Sequence, residues 1–345
     1  MLGVCFAATS TVLAAVTNGL PTRMLKLPPA LLVTDFDSTI TVKDTLGSLV
    51  ALASDPGRFA EASELYTARF AEVEALVEAG KVEEALSRAE EVENTSIDLV
   101  VEAGMLTGIS RAAIAEASRP TPLRPGTASA GRVLCPTDVF LVFQFLLPGC
   151  SGRACSAPCA TDVFLVVRFL LPGAADALRA AAASGVGVHI CSANWSPDWI
   201  VGALFECGDA LSGIHTNALE MDGLGVCTGG LKRSIVGPAD KARCFARLRA
   251  ESSAASRDGR ACVFVGDALP DLTAMLDADI GILIGENALM RTALAAVDGA
   301  MPLRALSEAA AEDGSLRPGL YVASCWDDIT QVLQLGSRPV ALALA

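Results

Sequence analysis

Carboxylates fall in pairs at two points where an apolar run stops. Leu31-Leu32-Val33-Thr34 leads into Asp35-Phe36-Asp37-Ser38-Thr39, and Ala261-Cys262-Val263-Phe264-Val265 leads into Gly266-Asp267-Ala268-Leu269-Pro270-Asp271. Asp35 and Asp37 are one residue apart, so a continuing strand would aim both the same way. Like charges packed together repel, and each resists desolvation. The relief is a bound cation or a carboxyl that keeps its proton, and both serve catalysis. A helix cap beside a solvated carboxylate accounts equally well for Asp35 and Asp37. A turn Asp followed by a capping Asp does the same for Asp267 and Asp271. Two further candidates lie between the pairs. Ser192 follows the apolar run Val186–Cys191 and precedes a helix start at Asn194-Trp195-Ser196-Pro197, which makes a ready anion site or simply a turn. Lys241 falls in the first turn of a helix opened by Pro238-Ala239-Asp240. A cation there opposes the helix dipole unless something negative faces it; a surface lysine is the plainer reading.

The elements that must position these residues alternate. Strand-like runs at 29–40, 186–191, 261–265, 279–285 and 320–323 are separated by helical segments, the pattern of an α/β fold with a doubly wound parallel sheet. In such sheets the ligand crevice lies at the carboxyl ends of the strands, where both Asp pairs are expected. Between the first strand and the rest, residues 44–118 change character. Phe70, Val73, Leu76 and Val77 recur at helical spacing, Gly80 breaks the run, and Val82–Ala89 resumes it. This predicts a helical insertion, with a breaker-rich connection at 119–126.

Length and composition fit a globular chain. At 345 residues it can bury a sizeable core, half of it is apolar, and its net charge of −13 disfavours nucleic acid as a partner. Residues 1–28 hold no acidic residue. They read as an extension outside the fold, either an organelle transit peptide or a ragged start. Their apolar part, Leu2–Val16, is too short to cross a membrane, so an intracellular protein, cytoplasmic or organellar, is expected without membrane attachment. The 11 cysteines form no CxxC pair. Cys150, Cys155 and Cys159 lack zinc-site spacing, and the others read as buried small hydrophobes of a reduced compartment. Only His189 and His215 are present; His189 reads as structural and His215 as a surface or core residue. Residues 137–149 return almost unchanged as 161–173. Two copies are too few for a solenoid, and the block 125–173 is expected to be an insertion or intron-derived sequence.

Taken in order, Asp35-Phe36-Asp37-Ser38-Thr39, Ser192, Lys241 and Gly266-Asp267 with Asp271 resemble the four motifs of the haloacid dehalogenase-like (HAD) hydrolase superfamily. The resemblance implies a HAD-type core (29–43 and 174–340) with a helical cap (44–124). It implies Mg²⁺ as cofactor and a small phosphorylated metabolite as substrate. Asp35 would be the nucleophile that forms an aspartyl-phosphate. Asp37 would be the general acid and base, and Ser192 and Lys241 would bind the phosphate. Asp267, with Asp271 in support, would hold the metal together with Asp35 and the backbone carbonyl of Asp37. The stretches His189–Trp195, Gly237–Lys241, Gly266–Gly285 and Leu320–Trp326 look most like the phosphatase domain of plant bifunctional, TenA-fused thiamin monophosphate phosphatases. The 345 residues leave no room for the TenA-like part, so a stand-alone phosphatase is expected. The block 127–173 and the N-terminal stretch depart from the pattern. Two alternatives stand beside this expectation: a phosphatase for another metabolite, such as a nucleotide or phosphoserine, and a non-catalytic protein that keeps the fold.

Overall fold

The computed structural model describes residues 24–53, 57–124, 173–255, 260–309 and 315–333. The described elements begin with strand β1 (Leu25–Thr34), followed by helices α1 (Leu46–Val50), α2 (Gly57–Glu78), α3 (Val82–Glu102) and α4 (Arg111–Ser118). Then come α5 (Ala174–Ala183), β2 (Gly187–Cys191), α6 (Pro197–Ala203), β3 (Gly213–His215), β4 (Ala218–Met221), β5 (Cys227–Lys232) and α7 (Pro238–Ala255). The last part holds β6 (Arg260–Gly266), α8 (Leu272–Asp277), β7 (Ile280–Ile284), α9 (Ala288–Ala296), β8 (Arg304–Ala305), β9 (Ser315–Leu316), β10 (Gly319–Ala323) and α10 (Trp326–Val332).

The main sheet runs β3-β2-β1-β6-β7-β10-β8 with every neighbouring pair parallel, and β9 adds antiparallel to the start of β1. From β1 the chain builds outward through β2 and β3, then returns to β6 on the other side of β1. That reversal makes the β1–β6 border the switch point of the sheet, where a crevice opens at the carboxyl ends. Asp35 follows β1 and Asp267 follows β6, so the two acid pairs meet at that border.

Period two along the strands divides the core. Leu32 joins Val188, Ile190, Val263, Val265, Ile280 and Ile282 under α5 and α10. Leu31 and Val33 join Cys262, Phe264 and Leu283 under α7, α8 and α9. Helices cover both faces, and the strands can therefore be apolar throughout. This is the expected doubly wound α/β sheet. The helical insertion is also present: α2 packs on α3 across a turn at Gly80 (φ +73°), the break read from sequence, and α2 rests on α9.

Two boundaries differ from the sequence reading. The sheet begins at Leu25, so residues 25–28 belong to β1 rather than to an N-terminal extension. Pro28 and Pro29 have no N–H to donate to a ladder. In the fold the prolines fall where the pairing with β6 jumps from Lys26 to Leu31, so no donor is missed. Gly173, read as the end of the repeat, is the residue that leads into α5. The tandem repeat itself, with Cys150, Cys155 and Cys159, lies outside the described residues. At its base the amide of Ala174 donates to the carbonyl of Arg124 at 3.0 Å, so the cap and core close directly on each other there.

Among the described residues, no helix is long and apolar enough to cross a membrane. Cys191, Cys207, Cys227, Cys244 and Cys262 are buried as free thiols. His189 Nδ1 and His215 Nε2 lie 3.2 Å apart near the edge of the sheet, and Arg247 donates to His215 Nδ1 at 3.2 Å.

Candidate active site

Asp35 is the first residue beyond β1, and its amide still donates to Val265 O at 2.9 Å. The strand ladder therefore fixes its backbone up to the point where the side chain leaves the sheet. Its carboxylate is 6% exposed. Oδ2 lies 3.1 Å from Lys241 Nζ, while Oδ1 is buried without a hydrogen-bond partner. Such an atom normally destabilises a fold by a few kcal/mol, on the order of 1–3, unless a ligand completes it.

Lys241 is 2% exposed and bridges Asp35 and Asp271, at 2.7 Å from the latter. Burial alone would push its ammonium down; Asp271 and Asp35 outweigh that and hold it above its ordinary value. The negative partner needed to keep a cation in the first turn of a helix is thus present twice, and the surface-lysine reading is excluded. Asp240 caps the same helix by accepting from Val236 N at 2.9 Å.

Asp271 is fully buried. Its Oδ2 accepts from the amides of Asp267 and Ala268, both at 3.2 Å, and its Oδ1 accepts from Lys241. Its side chain thus braces the turn before the helix and pairs with Lys241, and makes no side-chain cap bond to α8. Burial pushes its carboxyl up and Lys241 pulls it back. Gly266 makes this packing possible, since a Cβ there would lie 2.4 Å from Asp271 Cγ. Gly266→Ala is expected to cost about 1–3 kcal/mol by overpacking, read in a denaturant melt.

Asp267 accepts from Thr39 Oγ1 at 2.7 Å. Burial, then Asp271 and Asp35, push its carboxyl up to about 7. Oxygens of Asp35, Asp267 and Asp271 all lie within 4.8 Å of one another. The donors are oxygens only, the set that suits Mg²⁺.

Asp37 is turned away from this cluster and held from three sides. Oδ1 accepts from Thr45 N at 2.9 Å and Thr45 Oγ1 at 2.6 Å, and Oδ2 accepts from Asn194 Nδ2 at 2.9 Å. Burial, then Asp44, push its carboxyl up to about 7, so a proton resides there over part of the neutral range. After Asp37 the backbone turns at Ser38 (φ +56°), a left-handed conformation that a non-glycine residue adopts at some expense. Arg124 secures it with two bonds to Ser38 O, at 2.8 and 2.5 Å. Trp326 Nε1 donates to Thr39 O at 2.9 Å from the far end of the chain.

Ser192 is buried beyond β2, with its amide bonded to His215 O at 3.0 Å. Its Oγ accepts from Asn194 N at 3.1 Å, and its own proton can still be donated. Asn194 therefore links Ser192 to Asp37. The sequence reading singled out neither Asn194, Thr45, Thr39 nor Arg124. Thr39 and Asn194 lay inside quoted runs, and Thr45 and Arg124 carried no local signal.

No protein-family profile matches the chain. The bifunctional TH2 protein, mitochondrial, of Arabidopsis thaliana is 29% identical over 107 residues, which is 30% of this chain and 17% of that protein. The chain thus aligns with less than a fifth of the length of that curated relative. Among solved structures, a substrate-bound phosphoserine phosphatase is 14% identical with a TM-score of 0.46, over 78% of this chain and 91% of that one. A HAD family hydrolase from Salmonella enterica serovar Typhi is 17% identical with a TM-score of 0.44, over 77% and 65%. Likenesses of this degree leave the functional reading to stand on the site itself, where a buried carboxylate with one unbonded oxygen, a buried lysine and a second carboxyl able to hold a proton lie at the switch point of the sheet.

Proposed function

We propose that the protein is a Mg²⁺-dependent phosphomonoester phosphatase that works through an aspartyl-phosphate on Asp35, with thiamin monophosphate as its substrate. The observation that carries this reading is the division of labour within the Asp35 carboxylate: Oδ2 is fixed by Lys241, and Oδ1 is buried with no partner.

An Asp35 oxygen attacks phosphorus, and the bond from phosphorus to the ester oxygen breaks. The departing oxygen takes the proton of Asp37. Oδ2 of Asp37 accepts a single bond, from Asn194, whereas Oδ1 accepts two, so Oδ2 is the oxygen left to carry that proton. In the second half Asp37, now a carboxylate, takes a proton from water as the water attacks phosphorus. Phosphate leaves and Asp35 is restored. Ser192 and Lys241 bind the phosphoryl oxygens. Lys241 draws charge toward itself without being drawn into proton transfer, because its two carboxylates keep it an ammonium.

Asp35, Asp267 and the backbone carbonyl of Asp37 would hold Mg²⁺, with Asp271 in support by fixing Lys241 and the 267–268 amides. When bound, the metal neutralises charge on nucleophile and phosphoryl group, two anions that otherwise repel. The thiamin assignment rests on the resemblance of residues 189–195, 237–241, 266–285 and 320–326. These stretches contain Asn194, Lys241, Asp267, Asp271 and Trp326, the residues that build or brace the site.

Phosphate release from thiamin monophosphate and a panel of other phosphomonoesters tests the proposal. Release is expected to vanish with EDTA, return with Mg²⁺, and be fastest for thiamin monophosphate. Release from other esters alone keeps the chemistry and removes the substrate. A folded protein that hydrolyses none of them removes both.

A further inference from the structure

Two polar side chains sit where the α2–α3 hairpin is otherwise apolar. On α3 the buried residues Leu86, Ala89, Ile97 and Val100 form one stripe, and Glu93 lies on that stripe, four residues from both Ala89 and Ile97. On α2 the buried Val73 and Val77 continue back to Phe70 and Tyr66 at the same spacing. The two stripes meet: Tyr66 Oη donates to Glu93 Oε1 at 2.6 Å, and the Tyr66 ring stacks on Phe70 with centroids 5.7 Å apart. A hairpin gains more from an apolar pair at such positions than from a carboxyl and a phenol. Stability of the cap does not account for them.

Their surroundings do. Glu93 is within electrostatic reach of Asp44 and Lys241, Tyr66 of Asp44, and Asp44 of Asp37 and Asp35. Helix α3 also packs against residues 269–271, and Glu90, one turn before Glu93, has its Cγ 2.8 Å from where a Cβ on Gly237 would lie, four residues ahead of Lys241; the pair therefore borders the acid end of the site. Burial pushes the Glu93 carboxyl up, and the Tyr66 bond offsets this only in part. Lys241 is already shared by Asp35 and Asp271. Asp37 and Asp267 hold protons over part of the neutral range, yet the carboxyls of Asp35, Asp44, Glu93 and Asp271 still outnumber Lys241 and Arg124. A divalent metal does not redress this, because a phosphomonoester dianion brings back the charge the metal removes. The unpartnered Asp35 Oδ1 marks the point a ligand must reach, and the remaining negative charge lies on the Asp44 and Glu93 side, next to the protonated Asp37. There the leaving group has to sit, since Asp37 hands it a proton.

We propose that the Glu93–Tyr66 pair is the specificity element of the cap and selects phosphomonoesters whose leaving group is a cation, a charged ring or an ammonium, paired by the Glu93 carboxylate and faced by the Tyr66 ring. This rests on the phosphatase reading above and narrows its substrate class.

The test uses the full chain with Mg²⁺ and measures kcat and KM for thiamin monophosphate and phosphoethanolamine, whose leaving groups are cationic, and for p-nitrophenyl phosphate, whose leaving group is not. The readout is the ratio of kcat/KM for a cationic ester to that for p-nitrophenyl phosphate. The ratio cancels the fraction of folded enzyme, so a poorly folding variant still answers. Wild type is expected to favour at least one cationic ester. Glu93→Gln should lower that ratio about tenfold or more, mainly through KM, and Tyr66→Phe should lower it less but in the same direction. The ester that loses most identifies a ring cation or an ammonium as the group recognised. A Glu93→Gln ratio within about twofold of wild type, or a wild type that prefers p-nitrophenyl phosphate, overturns the inference and leaves the phosphatase reading standing. No hydrolysis of any ester by folded wild type overturns both.

Discussion

Asp35→Asn is expected to lower Mg²⁺-dependent phosphate release from thiamin monophosphate by about 10⁴-fold or more. The substitution keeps the shape of the side chain and removes the charged oxygen that attacks phosphorus. It also removes one member of a crowded acid group, while Lys241 keeps its 2.7 Å contact with Asp271. The variant should therefore fold, with a melting temperature close to that of wild type, and the loss should appear in kcat. Initial rates of phosphate release, paired with a thermal melt of the same preparation, separate lost chemistry from lost structure. An Asp35→Asn protein that retains activity within about tenfold of wild type would place the nucleophile elsewhere, with water attacking phosphorus directly. The covalent step would then be discarded, although Asp37 and Lys241 could keep their roles.

Asp35 and Asp37 stood out in the sequence, but a cap beside a solvated carboxylate fitted them equally well, and only the series with Ser192, Lys241, Asp267 and Asp271 tipped the reading. That both acid pairs lie on one side of the sheet followed from the alternation of strands and helices, since a parallel sheet puts every carboxyl end on one side; that β1 and β6 are neighbours did not. Asp271 was legible only as two competing readings, a helix cap or a metal ligand, and the structure adds a contact neither foresaw: its Oδ2 holds the 267–268 amides while its Oδ1 pairs with Lys241. Thr39, Thr45, Asn194 and Arg124 were not legible. Each acts through a bond to a residue distant in sequence or through a turn, as when Asn194 reaches Asp37 or Arg124 reaches Ser38 O. Spacing along one chain carries no record of such meetings. Glu93 shows a different limit. Among the many glutamates of α2 and α3 it looks like solvated surface, and only its place on the buried stripe separates it from the rest. The start of β1 was missed because residues 1–28 were set aside together for their lack of acidic residues, and Leu25–Pro28, which carry the first pairing with β6 and β9, went with them.

Lys241→Met should have the largest effect on stability of any single change at the site. Methionine matches the length of the lysine stem and keeps an unbranched apolar stem on α7. It leaves Asp35 and Asp271 buried with no cation between them, and breaking one side of a buried ion pair typically costs about 3–5 kcal/mol. Asp271 carries most of this, because it is fully buried and its Oδ1 has no other donor than Lys241, whereas Asp35 already lives with one oxygen unpartnered. A double-mutant cycle makes the assignment. Asp271→Asn alone removes the charge but also weakens the acceptor of the 267–268 amides. Adding it to Lys241→Met should recover a large part of the loss, since the pair of changes leaves fewer uncompensated charges than either protein with Lys241 missing alone. Urea unfolding of the wild type and three variants reads the coupling, expected at about 2–3 kcal/mol for side chains in direct contact. Additive losses would mean that Lys241 is held by something other than its two carboxylates. In that case its position at the first turn of α7, against the helix dipole, would have no counterweight. Activity should vanish in every variant that lacks Lys241, including the double mutant whose stability returns. That divergence distinguishes a lysine that binds phosphate from one that only neutralises its neighbours.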